Sequence, residues 1–102
     1  MAKFLITYLG QPAINTPEEG KAHMAAWMAW MNGLGDALVH PATPLRASKT
    51  VGPDGASDGG VPVTGFLIVE AADMDAAVAI SKSDPFTKHA IAGVSEMMSM
   101  PG

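Results

Sequence analysis

Apolar residues along this chain alternate between two periods, and each change of period marks a predicted element. Residues 3–9 (KFLITYL) are rich in β-branched and aromatic types and run into Gly10 and Pro12. That pattern predicts a strand. Its two faces are Phe4/Ile6/Tyr8 and Leu5/Thr7/Leu9, and both are largely apolar. Thr16-Pro17-Glu18-Glu19 then supplies an N-cap, a proline at the first helical position and a glutamate at the third. The helix predicted from there extends to about Val39, weakened at Gly33 and Gly35 and stopped by Pro41 and Pro44. At about 100° per residue, His23, Trp27, Trp30, Met31, Leu34 and Leu38 form one stripe, which Met24 and Met28 widen. Ala22, Ala25, Ala26 and Ala29 lie opposite, and no charged side chain occurs between Ala22 and Gly35. Such a helix is expected to be covered on most of its circumference or to pack near a partner.

The second half repeats the scheme. Leu45 to Val51 (LRASKTV) alternates weakly and reads as an edge strand, with Arg46 and Lys49 turned to water. Gly52 to Gly60 (GPDGASDGG) reads as a mobile loop. Val61 to Glu70 (VPVTGFLIVE) carries the strongest strand signal, with Phe66/Ile68 on one face and Leu67/Val69 on the other. Pro62 and Gly65 restrict its regular pairing to the second half. Asp73 caps a second helix from Met74 to about Ser83, ended by Asp84-Pro85-Phe86. Val94 to Met100 (VSEMMSM) is the last predicted strand.

This order is βαββαβ, read as one domain over residues 1–102. Two β-α-β halves with right-handed crossovers give an α+β, ferredoxin-like fold: a four-stranded antiparallel sheet with both helices on one face. The other face keeps apolar side chains from strands 3–9 and 66–69. An uncovered apolar sheet would aggregate, so a homodimer through the open sheet face is expected.

Composition sharpens that expectation. Charged residues are only 16% of the 102 positions, against 48% hydrophobic, and a typical chain has roughly 25% charged. The net charge is −4 and the six Lys and Arg are scattered, so no basic stripe exists for nucleic acid. With no cysteine, the chain is expected in a reducing, cytoplasmic setting. No apolar run reaches the roughly 20 residues of a membrane span.

Three passages, in order, resemble the YCII-related domains, a branch of the dimeric α/β-barrel superfamily. They are Ala22-His23, then Thr64-Gly65-Phe66-Leu67-Ile68-Val69-Glu70 leading into Ala71–Ile80, then Ser83-Asp84-Pro85-Phe86. The chain departs from the family at Gly20, where an arginine is frequent, and at Ala42-Thr43-Pro44, where glycine-proline is frequent. The resemblance implies a pocket centred on His and Asp.

The topology independently brings His23, early in the first helix, to the sheet edge where Asp84 ends the second. An Asp that accepts from one imidazole nitrogen raises the basicity of the other. The ordinary alternatives are a core histidine beside Trp27 and a turn aspartate before proline. Tyr8 ends the first strand at the same edge, its hydroxyl directed either to the pocket or to water. Trp27, Pro85 and Phe86 complete the candidate binding set, with Trp30 assigned to the core. The eight methionines read as adaptable packing.

His23, His40 and His89 show no metal-ligand spacing, and Asp54, Gly55, Asp58 and Gly59 lack the closing glutamate of a calcium loop. No metal or cofactor is expected, and no nucleophile signature is present. The leading function is a cofactor-independent small-molecule enzyme. Its lyase, isomerase or dehydrohalogenase chemistry is implied by the resemblance. A non-catalytic binding or sensing module is the second reading. An assembly partner with a plugged pocket is the third.

Overall fold

The computed structural model describes residues 1–11 and 14–99. Its central strand is β1 (Ala2–Leu9), and the alternation read from the sequence sets its two faces. Phe4, Ile6 and Tyr8 are buried, while Leu5, Thr7 and Leu9 are half-buried. Strand β5 (Val63–Ala71) pairs antiparallel to it, with Phe4 opposite Val69, Ile6 opposite Leu67 and Tyr8 opposite Gly65. The helix-covered core therefore consists of Phe4, Ile6, Tyr8, Leu67, Val69 and Ala71, closed by Ala77 and Phe86.

Two helices cover that face. Helix α1 (Pro17–Leu34) begins as expected, with the Thr16 hydroxyl accepting from the Glu19 N–H at 3.1 Å. It ends earlier than the sequence suggested. Gly35 adopts φ 55°, and a short 3-10 turn (Gly35–Ala37) follows. Helix α2 (Met74–Lys82) is capped by Asp73, which accepts from the Ala76 N–H at 2.8 Å. A second 3-10 turn (Pro85–Lys88) follows it, capped by Asp84.

Three expectations are corrected. The edge strand is β2 (Leu38–Pro44), and not residues 45–51. Pro41 and Pro44, taken as helix stops, sit inside it. A proline lacks the ladder donor, so it is tolerated at a sheet edge. The segment 45–51 instead feeds a separate hairpin of β3 (Lys49–Gly52) and β4 (Gly55–Asp58), joined through Pro53-Asp54. The presumed loop 52–60 is thus partly strand, and Lys49 pairs with Asp58 at 2.8 Å. Finally, α1 has no buried residue in the single chain. Its His23/Trp27/Trp30/Met31/Leu34 stripe is half-buried, while Met24, Met28 and the alanine side are exposed.

The last strand is β6 (Ile91–Glu96), antiparallel to β1. It starts before the expected Val94, and Met100 lies outside the described residues. The sheet order is β2-β5-β1-β6. This is the ferredoxin-like α+β arrangement, with four antiparallel strands. Among the described residues, no helix is long and apolar enough to cross a membrane.

Gly65 matters to this register. A Cβ there would lie 3.0 Å from the Thr43 carbonyl oxygen and 3.2 Å from a ring carbon of Tyr8. Gly65→Ala is therefore expected to cost about 1–3 kcal/mol through overpacking. Urea unfolding should show a lower midpoint with unchanged slope. An unchanged midpoint would mean that β2 moves away freely.

Candidate functional site

The site forms where the end of β1, the start of α1 and the turn after α2 meet. Asp84 is the residue at its base. It is fully buried, with 0% exposure. Its Oδ2 accepts from the Tyr8 hydroxyl at 2.6 Å, and its Oδ1 accepts from the Phe86 N–H at 2.9 Å. The first distance lies in the range of a charge-assisted O–H···O bond. Trp27 Nε1–H in turn donates to the Tyr8 oxygen at 3.3 Å. A buried carboxylate needs such partners, since an unpaired one is strongly disfavoured.

Burial pushes the Asp84 carboxyl above the ordinary carboxylate range. The Tyr8 hydroxyl, the Phe86 N–H and the nearby His23 oppose that rise. Burial also pushes the Tyr8 phenol well above its usual range, and its bond to Asp84 and that residue's negative charge push it further. At neutral pH Tyr8 therefore remains a hydroxyl that donates to Asp84.

Aromatic rings extend from this base to the surface. Phe86 packs on Tyr8 at 4.4 Å between centroids, and Trp27 meets Tyr8 edge-on at 5.3 Å. His23 stacks on Trp27 at 5.9 Å with 28° between planes. Trp27 therefore faces the core with one edge and His23 with its face. One turn later, Trp30 donates to the Ser83 hydroxyl at 2.8 Å and ties α1 to the end of α2.

A cleft of about 260 Å³ opens over this assembly, with Tyr8, His23, Trp27 and Phe86 on its walls. The structure thus brings together Tyr8, His23, Trp27, Asp84 and Phe86. Pro85 lies on a second cleft beside His23. One relation differs from expectation. The Asp84 oxygens accept from Tyr8 and the Phe86 N–H, and no hydrogen bond joins the carboxylate to the His23 ring among the described residues. The Tyr8 phenol, near the end of β1, is the side-chain donor that reaches the carboxylate. Its hydroxyl is not in water.

Sequence reasoning missed Gln11, Pro44, Leu45 and Thr64 on the cleft wall. Thr64 is also a clamp, its hydroxyl donating to the Gly10 carbonyl at 2.6 Å. The pairing of Tyr8 with Gly65 would have pointed to Thr64, since a missing side chain opposite an aromatic leaves room. His89 was also missed as a neighbour of His23. Their rings lie 5.8 Å apart, edge to face. No group of three or more His, Cys, Asp or Glu that could hold a metal ion occurs among the described residues.

The sheet order, the two crossover helices on one face and the aromatic cleft at one sheet end define a ferredoxin-like α+β domain with a small-molecule-sized site. Residues 2–100 match the model of the YCII-related domain, and the chain belongs to that family. The chain is similar in structure to 5-chloro-2-hydroxyhydroquinone dehydrochlorinase (TftG) of Burkholderia phenoliruptrix, solved in complex with 2,5-dihydroxybenzoquinone. The TM-score is 0.61 at 24% identity, covering 94% of this chain and 93% of that one. No curated protein matches the chain in sequence.

The Tyr8–Asp84 bond yields a pH-dependent prediction. Tyr8→Phe removes the donor to a buried carboxylate and should cost about 1–3 kcal/mol near neutral pH. Asp84 titrates above its ordinary value in the fold. Stability from this group is therefore present at low pH and falls as pH rises through the raised value. Loss of the Tyr8 donor raises that value further, so the deficit of Tyr8→Phe should grow from about pH 4 to about pH 7. Equal deficits in urea unfolding at the two pH values would show that the bond does not sense the carboxylate's charge.

Proposed function

We propose that this chain is a cofactor-independent enzyme that moves protons on a small, planar, hydroxylated ring. The observation that carries this reading is the cleft itself. A histidine stands on its wall, beside aromatic rings anchored by a buried carboxylate. Its volume, about 260 Å³, suits a single substituted ring more than a drug-sized ligand. Trp27 and Phe86 supply stacking surfaces. His23 takes and returns the proton. Asp84 acts through Tyr8, which it holds in place, and the nearby His23 favours its ionised form.

The dehydrochlorinase similarity supports a substrate class, a chlorinated hydroxyhydroquinone. Its conversion to a hydroxyquinone is a net loss of HCl. One hydroxyl proton moves to the carbon that bears chlorine. A second hydroxyl proton leaves as the C–Cl bond breaks, and chloride departs with the bonding pair. The step needs no oxidant or reductant, only a group that accepts, delivers and again accepts a proton. An imidazole titrates in the right range for that work.

The test is chloride release from 5-chloro-2-hydroxyhydroquinone, with binding of 2,5-dihydroxybenzoquinone followed by absorbance. His23→Ala should retain the fold and lose about 10²–10⁴-fold in turnover. Global unfolding of that variant would make His23 a core residue. Tight binding of the quinone by the wild type with no chloride released would make the domain a binding or sensing module.

We also propose that the working unit is a homodimer. Leu5, Leu9, Phe66 and Ile68 share the sheet face that no helix covers, and Ile91 at its margin is 72% exposed. His40 stacks on Phe66 at 5.1 Å on the same side. Two such faces paired about a two-fold axis remove this surface from water. Light scattering should give twice 10.5 kDa. A clean 10.5 kDa species at micromolar concentration would overturn the dimer.

A further inference from the structure

His23 stands between two clefts. One is the aromatic cleft above Tyr8 and Asp84. The other is lined by Glu19, Pro85, Lys88 and His89 among others. His89 is exposed and closes the 3-10 turn Pro85–Lys88, its N–H donating to the Phe86 carbonyl at 3.0 Å. The turn that buries Phe86 against Tyr8 therefore also holds His89 against His23, with 5.8 Å between centroids and 76° between planes.

We infer that His89 is a proton relay between His23 and solvent. This rests on the reading of His23 as the proton-transferring group. A base that takes a proton in the cleft must pass it on before the next turnover. Asp84 offers no route to water, because it is fully buried and its hydrogen bonds run to Tyr8 and the Phe86 N–H. His89 has the matching chemistry and faces water. Both rings line the second cleft, which is open to solvent. The transfer breaks an N–H bond on His23 and forms one on His89. His89 then gives its proton to buffer, which leaves both rings as they began and His23 ready for the next turnover.

The charged groups around the pair permit this traffic. Glu19 and Lys88, of opposite sign, share the second cleft, and Asp84 lies on the other side of His23. The Glu19 carboxylate also accepts from the Asn15 N–H at 3.0 Å. Neither imidazole forms a salt bridge among the described residues, so neither proton is trapped by a fixed partner.

The test compares wild type, His23→Ala and His89→Ala with the same chlorinated probe, in dilute non-imidazole buffer and then with added imidazole. Circular dichroism verifies folding. His89→Ala should lose about tenfold in kcat at low buffer, with KM unchanged, since a positioned proton-transfer group contributes at least that much. Added imidazole should restore most of the loss, which a merely structural role would not allow. A His89→Ala enzyme as fast as wild type, or slow and not restored by imidazole, overturns the relay while leaving His23 in place. A wild type that releases no chloride, or a His23→Ala enzyme as fast as wild type, overturns the reading of His23 and the relay with it.

Discussion

A buried carboxylate must be satisfied, and at Asp84 that requirement organises one end of the molecule. The residue follows α2, caps the 3-10 turn Pro85–Lys88 and is fully buried near the end of the central strand. It is held from two directions, by the Tyr8 hydroxyl from the sheet and by the Phe86 N–H from the following turn. The first bond joins two elements far apart in sequence. The second shapes the turn that places Phe86 on the face of Tyr8. Trp27 completes the set by donating to the same phenol from α1. Sheet, turn and helix are therefore fixed to one another by a single connected group of polar atoms. Such a group is stable only when all its members are paired.

The sheet separates two tasks by face and by end. The face with Phe4, Ile6, Leu67 and Val69 is packed under the helices and supplies the core. The opposite face carries Leu5, Phe66 and Ile68 without a covering layer. The cleft belongs to neither centre. It sits at the strand ends, where main-chain pairing gives way to turns and side chains have space to converge. Ligand sites commonly occupy such places, because a rigid frame positions them without filling them.

Much of the frame was legible because it rests on local rules. The alternation in 3–9 and 66–69 assigned both faces correctly, and the Thr16 and Asp73 caps marked both helix starts. The edge strand was not legible, because Pro41 and Pro44 speak against a central strand and only tertiary position reveals an edge. The 49–58 hairpin was hidden by its glycines, which suit a loop as well as a tight turn. At the site, topology alone brought Tyr8, His23 and Asp84 to one edge. Which donor would reach the carboxylate depended on ring reach and register, to which sequence periodicity is blind. His89 was less visible still. A 3-10 turn of four residues decides where it points, and no apolar repeat announces such a turn.

The prolines of β2 have one more effect. A sheet edge recruits a further strand by offering a regular row of amide hydrogens and carbonyls. Pro41 and Pro44 carry no amide hydrogen, and the strand slips register twice along its length. An incoming chain would find no even spacing to zip against. The apolar residues of this protein can meet a neighbour broadside. Along β2, sideways growth into a continuous ribbon, the first step toward fibrous deposits, meets an interrupted edge.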